Sequence, residues 1–253
     1  MGPIITDENI KDLVERYITM HHNFHGLTPI AGWDVSNVTD MSEVFSNYKE
    51  FDDDLGNWDV SNVKSMRSMF AGCTNFTGKG IENWDVSKVT DMSYMFSWCL
   101  NFTGECIENW DVSNTTSMMS LFSYCKMFNP NLYSWDIGNV VDMSYMFTQC
   151  TSFIGNGLDE WNTKIMGNEE EMEYMFSGCT KLNVDLSKWN LTGQHINKLR
   201  MFDGCDEMDD AYLPKGVDFP ISDPIDQYAS GSGGAAIRKM HKSRKMHKSR
   251  KNV

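Results

Sequence analysis

Trp84-Asp85-Val86-Ser87-Lys88-Val89-Thr90-Asp91-Met92-Ser93-Tyr94-Met95-Phe96-Ser97-Trp98-Cys99 decides the fold, because variants of it recur along most of the chain. Its first residue returns at Trp33, Trp58, Trp84, Trp110, Trp135, Trp161 and Trp189, at spacings of 25, 26, 26, 25, 26 and 28 residues. A Phe column follows at Phe45, Phe70, Phe96, Phe122, Phe147, Phe176 and Phe202, and a third column at Tyr48, Cys73, Cys99, Cys125, Cys150, Cys179 and Cys205. Self-similarity at a fixed period in the twenties marks a stacked-repeat architecture. One unit has too little surface to bury its own apolar face, so it folds only against its neighbours.

Within a rung, Leu55, Trp58 and Val60 follow the L-x-x-L-x-L spacing of a strand lining a horseshoe. Period-2 alternation buries Trp58 and Val60 and turns Asn57, Asp59 and Ser61 outward. Val63, Met66, Met69, Phe70 and Cys73 then fall at helical offsets, with Ser61 or Asn62 available as a cap. The expected fold class is α/β: a leucine-rich-repeat-like solenoid of about seven rungs of 25–26 residues. Each rung would hold a short parallel strand and a short helix, and the stack would span about 30 Å along its axis.

These columns resemble the BspA-like leucine-rich repeat family, a surface-protein repeat first noticed in mycoplasma lipoproteins. The carrying residues are the W-D-V-S-N-V-T-D-M-S-x-x-F run at Trp33 to Phe45 with its copies, and the M-F-x-x-C-x-x-F run at Met69 to Phe76. The resemblance covers roughly Ile30 to Met208 and implies surface adhesion or protein interaction. Family members occur in bacteria, protists and large DNA viruses. Two late rungs depart from the pattern: Trp161-Asn162-Thr163 and Trp189-Asn190-Leu191 lose the Asp, and Lys198 stands where earlier rungs carry Met. A short insertion is expected to bulge near Gly167 to Glu170.

Around the repeats the chain divides into an N-terminal capping helix and loop (1–29), the solenoid (30–208), a C-terminal cap (209–228) and a flexible basic tail (229–253). Residues 6–22 read as an amphipathic helix with Thr6 as N-cap and an apolar stripe of Ile10, Leu13, Val14, Tyr17 and Ile18. His21, His22 and His25 read as loop histidines rather than a metal cluster. Six of the seven Cys lie in one column, the placement of a small, soft core side chain. With no C-x-x-C pair, they are expected to be free thiols without zinc, and no cofactor or metal is expected. The sequons at Asn37, Asn75, Asn101, Asn114 and Asn190 arise from repeat chemistry.

No apolar run is long enough to span a bilayer, and Asp7, Glu8, Lys11 and Asp12 interrupt any signal-peptide core at the N-terminus. The expected location is intracellular, with a viral particle assembled there as a further possibility.

The tail is electrically opposite to the rest. A Gly/Ser linker, Ser230 to Gly234, precedes a duplicated K-M-H-K-S-R unit. Arg238, Lys239, Lys242, Arg244, Lys245, Lys248, Arg250 and Lys251 face no acid in that stretch, leaving 14 basic against 35 acidic residues elsewhere, a formal charge of −21. Such a segment suits a tether to an acidic partner protein or, by self-association, to the acidic body of another copy, and nucleic acid is the competing partner.

The clearest exposed feature of the repeats is the column Asp34, Asp59, Asp85, Asp111 and Asp136, continued by Asn162 and Asn190. Neighbouring carboxylates at about 4.8 Å repel by roughly 0.8 kcal/mol per pair in water. Either each Asp is held by local hydrogen bonds, as Asx side chains readily are, or the column docks cations or a basic partner. The chain has no Gly-rich phosphate loop, no H-E-x-x-H and no G-x-S-x-G, and its carboxylate pairs repeat with the rungs. The expected function is a non-enzymatic protein–protein interaction or scaffold module.

Overall fold

The computed structural model describes residues 4–20, 29–163, 171–193 and 195–217, all within the compact unit Met1–Phe219. The repeat columns stack as the period demands, but not as strands and helices. Among the described residues there is one α-helix, α1 (Ile10–Met20), which lies outside the repeats, and no sheet. Isolated parallel bridges run from Asp40 to Ser65, Asp91, Ser117, Asp142, Glu171 and Asn197 in turn, with another between Asn190 and Lys215. The expectation of an α/β leucine-rich-repeat-like solenoid is overturned: Trp58 to Val60 is not a strand and Val63 to Cys73 is not a helix.

Each rung is instead a chain of overlapping turns. In the second rung Met69 N–H donates to Met66 O, Ala71 to Ser68, Cys73 to Phe70 and Phe76 to Cys73, at 2.9–3.1 Å. The third residues of the turns 66–69 and 70–73 are left-handed, Ser68 at φ 54 and Gly72 at φ 76, the signature of type II turns. The overlapping turns close at residues 69, 71, 73 and 76, and Met66, Met69, Phe70 and Cys73 reach the core at offsets of three, four and seven. The same offsets made the segment look helical in sequence.

Left-handed backbone is costly for residues with a Cβ, by roughly 1–2 kcal/mol each. It recurs at Glu43, Tyr94, Ser120, Tyr145, Tyr174 and Arg200, and four residues further on at Asn47, Trp98, Tyr124 and Gln149. Contacts between rungs hold it. Met66, Ser68, Phe70 and Gly72 donate their N–H groups to Asp91, Ser93, Met95 and Ser97 of the next rung at 2.7–2.9 Å, and equivalent sets of four join all six rung interfaces.

Side chains add a second set of joints. Trp58, Trp84, Trp110, Trp135, Trp161 and Trp189 each donate Nε1–H to a backbone carbonyl of the preceding rung, at 2.8–3.2 Å. Cys73, Cys99, Cys125, Cys150, Cys179 and Cys205 do the same with Sγ–H, always to the carbonyl of the preceding column Phe. All seven cysteines are free thiols. Burial pushes Cys73 up to about 12. Phe rings stack along the column, 5.3 Å between Phe45 and Phe70 and 5.7 Å between Phe70 and Phe96. Phe45, Phe70, Phe96, Phe122 and Phe147 also pair within their rungs, as Phe96 does with Phe102 at 4.2 Å.

Helix α1 packs on the first rung. Ile10, Val14 and Tyr17 are buried, and Tyr17 meets the half-buried Trp33 edge-on at 5.7 Å. The helix begins later than residue 6: Thr6 to Asn9 form a lead-in turn, and Asn9 Oδ1 accepts the Thr6 N–H at 3.0 Å. The Asp7 carboxylate accepts from the N–H groups of Thr39 and Asp40, tying that turn to the stack. His21, His22, His25, the Gly167 to Glu170 insertion and the basic tail lie outside the described residues.

Candidate interaction surface

The column Asp34, Asp59, Asp85, Asp111 and Asp136 is exposed throughout, on the edge where each rung leaves its Trp. Each carboxylate folds back on its own chain. Oδ1 accepts the N–H two residues on, from Ser36, Ser61, Ser87, Ser113 and Gly138, at 3.0–3.1 Å. Ser36 and Ser87 add hydroxyl bonds at 2.6 Å. These Asx turns hold the carboxyls of Asp34, Asp59 and Asp85 below their ordinary value, the Ser hydroxyl bond being the largest cause. Asp59 also feels the charges of Asp34 and Asp85, which push it the other way. The column is therefore a row of locally satisfied anions with one oxygen each still turned to solvent chemistry. At its early end Asp34 and Asp59 line an open depression of about 330 Å³ with Ala31, Gly32, Trp33, Val35 and Asn57.

Beside it runs a column of Asn side chains whose part in joining the rungs is not foreseen from sequence, where Asn62 reads as a helix cap and Asn114 as a sequon residue. Asn62, Asn114 and Asn139 donate Nδ2–H to the Ser36, Ser87 and Ser113 carbonyls of the preceding rung, at 2.7–3.0 Å. Asn114, one of the sequon residues, has its amide committed to that joint.

A second polar column, also missed, follows the parallel bridges: Asp40, Ser65, Asp91, Ser117, Asp142, Glu171 and Asn197. Asp and Ser alternate over its first five rungs, so the acids lie two rungs apart and their mutual repulsion is halved. Asp40, Asp91 and Asp142 accept the N–H groups of Ser42, Ser93 and Ser144 at 2.8–2.9 Å. Three residues along from this column come Tyr94, Tyr145 and Tyr174. Arg67 reaches across one interface to place its guanidinium 3.9 Å from Asp91 and 5.2 Å from the Tyr94 ring centroid. Trp98, half exposed at 49%, stacks on Tyr124 at 4.1 Å on the same face. The alternation D-M-S-Y-M-F, S-M-R-S-M-F was visible in sequence. Reading these residues as a short helix hid it.

Three overlapping stretches, residues 9–106, 69–172 and 99–213, match the family described as "Mycoplasma protein of unknown function, DUF285". The chain belongs to DUF285. Overlap is what a repeat produces, since the same pattern can be laid on this DUF285 chain at several registers. No curated protein matches it, and neither does any solved structure. Among the described residues no helix is long and apolar enough to cross a membrane. No group of three or more His, Cys, Asp and Glu side chains could hold a metal ion there.

Proposed function

We propose that this DUF285 protein is a non-enzymatic protein–protein interaction and scaffold module of the kind that builds a viral particle or another intracellular assembly. The observation that carries the reading is the exposed carboxylate column Asp34, Asp59, Asp85, Asp111 and Asp136, each member fixed by its own Asx turn. Pre-organised anions at a fixed spacing give a basic partner register and orientation, and electrostatic complementarity speeds encounter more than it adds affinity. The tail residues Arg238 to Lys251 serve as a tether to an acidic partner.

The test is a pull-down from the native source with the full chain, a chain lacking residues 229–253, and a chain with Asp59, Asp85 and Asp111 replaced by Asn. Loss of a salt-sensitive partner from the Asn variant supports the docking column, and loss from the truncated chain supports the tether. A partner set unchanged in both overturns the reading. The second reading, a nucleic-acid-associated protein, is favoured by the cationic tail alone. It requires salt-dependent DNA retention by the full chain that residues 1–228 do not show.

A further inference from the structure

The stack contains the same cradle twice, and among the described residues the chain itself fills it only once. Rungs three and five carry an identical hexapeptide, Asp91-Met92-Ser93-Tyr94-Met95-Phe96 and Asp142-Met143-Ser144-Tyr145-Met146-Phe147. Their backbones agree: Tyr94 and Tyr145 sit at φ 61 and 60. Asp91 and Asp142 each accept the N–H of the Ser two residues on, at 2.8 and 2.9 Å. The rungs before them are also alike, Ser65-Met66-Arg67-Ser68-Met69-Phe70 and Ser117-Met118-Met119-Ser120-Leu121-Phe122. The decisive difference is Arg67 against Met119.

Arg67 shows what the cradle binds. Its guanidinium lies 3.9 Å from the Asp91 carboxylate and 5.2 Å from the centre of the Tyr94 ring, so one cation meets a charge and a π face together. At rung five Asp142 and Tyr145 are half-buried and open to the surface, and the side chain at the Arg67 position is the uncharged thioether of Met119. The later rung strengthens the site. Tyr145 stacks on Tyr174 at 5.0 Å with the rings 8° from parallel, which fixes its plane. Tyr174 is itself covered by the Arg200 guanidinium at 6.0 Å, a second guanidinium on the same aromatic row. The acids Glu171 and Glu173 flank the Tyr145–Tyr174 pair, their Oε2 atoms bridged by the Asn197 amide at 2.7 and 3.2 Å.

We propose that Asp142 and Tyr145 form a receptor site for an arginine side chain presented by a partner protein, in the way that Asp91 and Tyr94 receive Arg67. The proposal rests on the interaction-module reading and deepens it by giving the partner a chemistry. It uses a different face from the Asp34 to Asp136 column, so the two can fail separately. Charge supports the occupant, since the body of the chain carries a formal −21. A guanidinium fits better than an ammonium because it can lie flat on the ring while pairing with the carboxylate.

The repeat supplies its own test. Met119→Arg rebuilds the rung-two arrangement and fills the cradle from within; Met119→Lys adds the same charge without the planar fork. The probe is a blocked peptide of alternating Arg and Ser, with its Lys counterpart as control, titrated calorimetrically into the full-length chain at physiological salt. The Arg peptide is expected to bind roughly three- to tenfold tighter than the Lys peptide. Met119→Arg and Tyr145→Ala are each expected to remove that preference, while Tyr145→Phe keeps it. Tyr145→Phe also guards against a folding artefact.

Equal binding of the two peptides, or a preference that survives Met119→Arg, overturns the cradle and leaves the carboxylate-column reading standing. Sedimentation of the wild type as a dimer that Met119→Arg disperses gives the cradle to a second copy, and overturns its assignment to a different protein.

Discussion

Trp110→Ala tests the stacked core at its centre. The indole is 3% exposed, lies 6.4 Å from Trp84 in a near-parallel stack and 6.2 Å from Phe96 in a tilted one. Deleting so large a buried side chain costs about 3–5 kcal/mol through lost transfer energy and the cavity left behind. The lost Nε1–H bond adds little. The Ile81 carbonyl that accepts it at 3.1 Å also accepts the Trp84 backbone N–H at 3.2 Å, so it is not orphaned.

Trp98→Ala is the matched control, since that ring is half exposed and its main contact is the Tyr124 stack, worth about 0.5–1.5 kcal/mol beyond buried area. Urea unfolding followed by tryptophan fluorescence and by circular dichroism measures both, with coincidence of the probes checking that the stack unfolds as one unit. A loss below about 2 kcal/mol at Trp110, or losses equal at the two sites, would refute the stacked-column account.

Other outcomes are as specific. Gly157→Ala should cost more than about 2 kcal/mol by thermal unfolding, because φ is +85 and a Cβ would lie 2.2 Å from the Tyr133 backbone nitrogen, which cannot move aside. At pH 8 the column cysteines should resist alkylation in the native protein, since burial raises their thiols. All seven should react once urea unfolds the chain without reductant, and recovered disulfides would contradict the thiol-to-carbonyl bonds.

Ser87→Ala should return the Asp85 carboxyl towards its ordinary value in a carbon-detected NMR titration. Because the folded value is depressed, the stability this bond contributes is present above the unfolded carboxylate value and is lost as pH falls through the folded one. Acid destabilisation should therefore be shallower in the variant.

The period of Trp, Phe and Cys was legible because burial on every rung forces the same residue types to the same places, and those columns are the core. The conformation of a rung was not. Burial at offsets of three and four belongs to an α-helix and equally to a run of closely spaced turns; apolar pattern alone does not separate them. The distinguishing clue lay in the positions that alternate between Gly and anything else, such as Gly72, Trp98, Tyr124, Gln149 and Gly178, all left-handed in the structure. A position that accepts glycine so often within a supposed helix argues against the helix. The Asp34 to Asp136 column was found by exposure, and its local hydrogen bonding by Asx chemistry. The Asp91–Tyr94 cradle stayed hidden because it depends on Arg67 reaching across an interface.

The turn ladder also has a direction. The peptide joining Ser65 to Met66 accepts from Met41 through its carbonyl and donates to Asp91 through its N–H. The peptide from Asp91 to Met92 accepts in turn and donates to Ser117. Four such files of amides run through the stack, each bond pointing from the earlier rung to the later. Amides aligned head to tail polarise one another, so the last bond in a file is made by a stronger donor than the first. Within these four files the dipoles add, as in an α-helix but with the opposite polarity along the chain, the positive end at the late rungs; the N–H groups of Lys64, Thr90, Thr116, Val141 and Glu171 point the other way and offset part of this. That is where the sequence gathers Asp203, Asp206, Glu207, Asp209 and Asp210. The four files thus end differently at the two ends of the stack, and a second body meeting the late end encounters a different field from one meeting the early end.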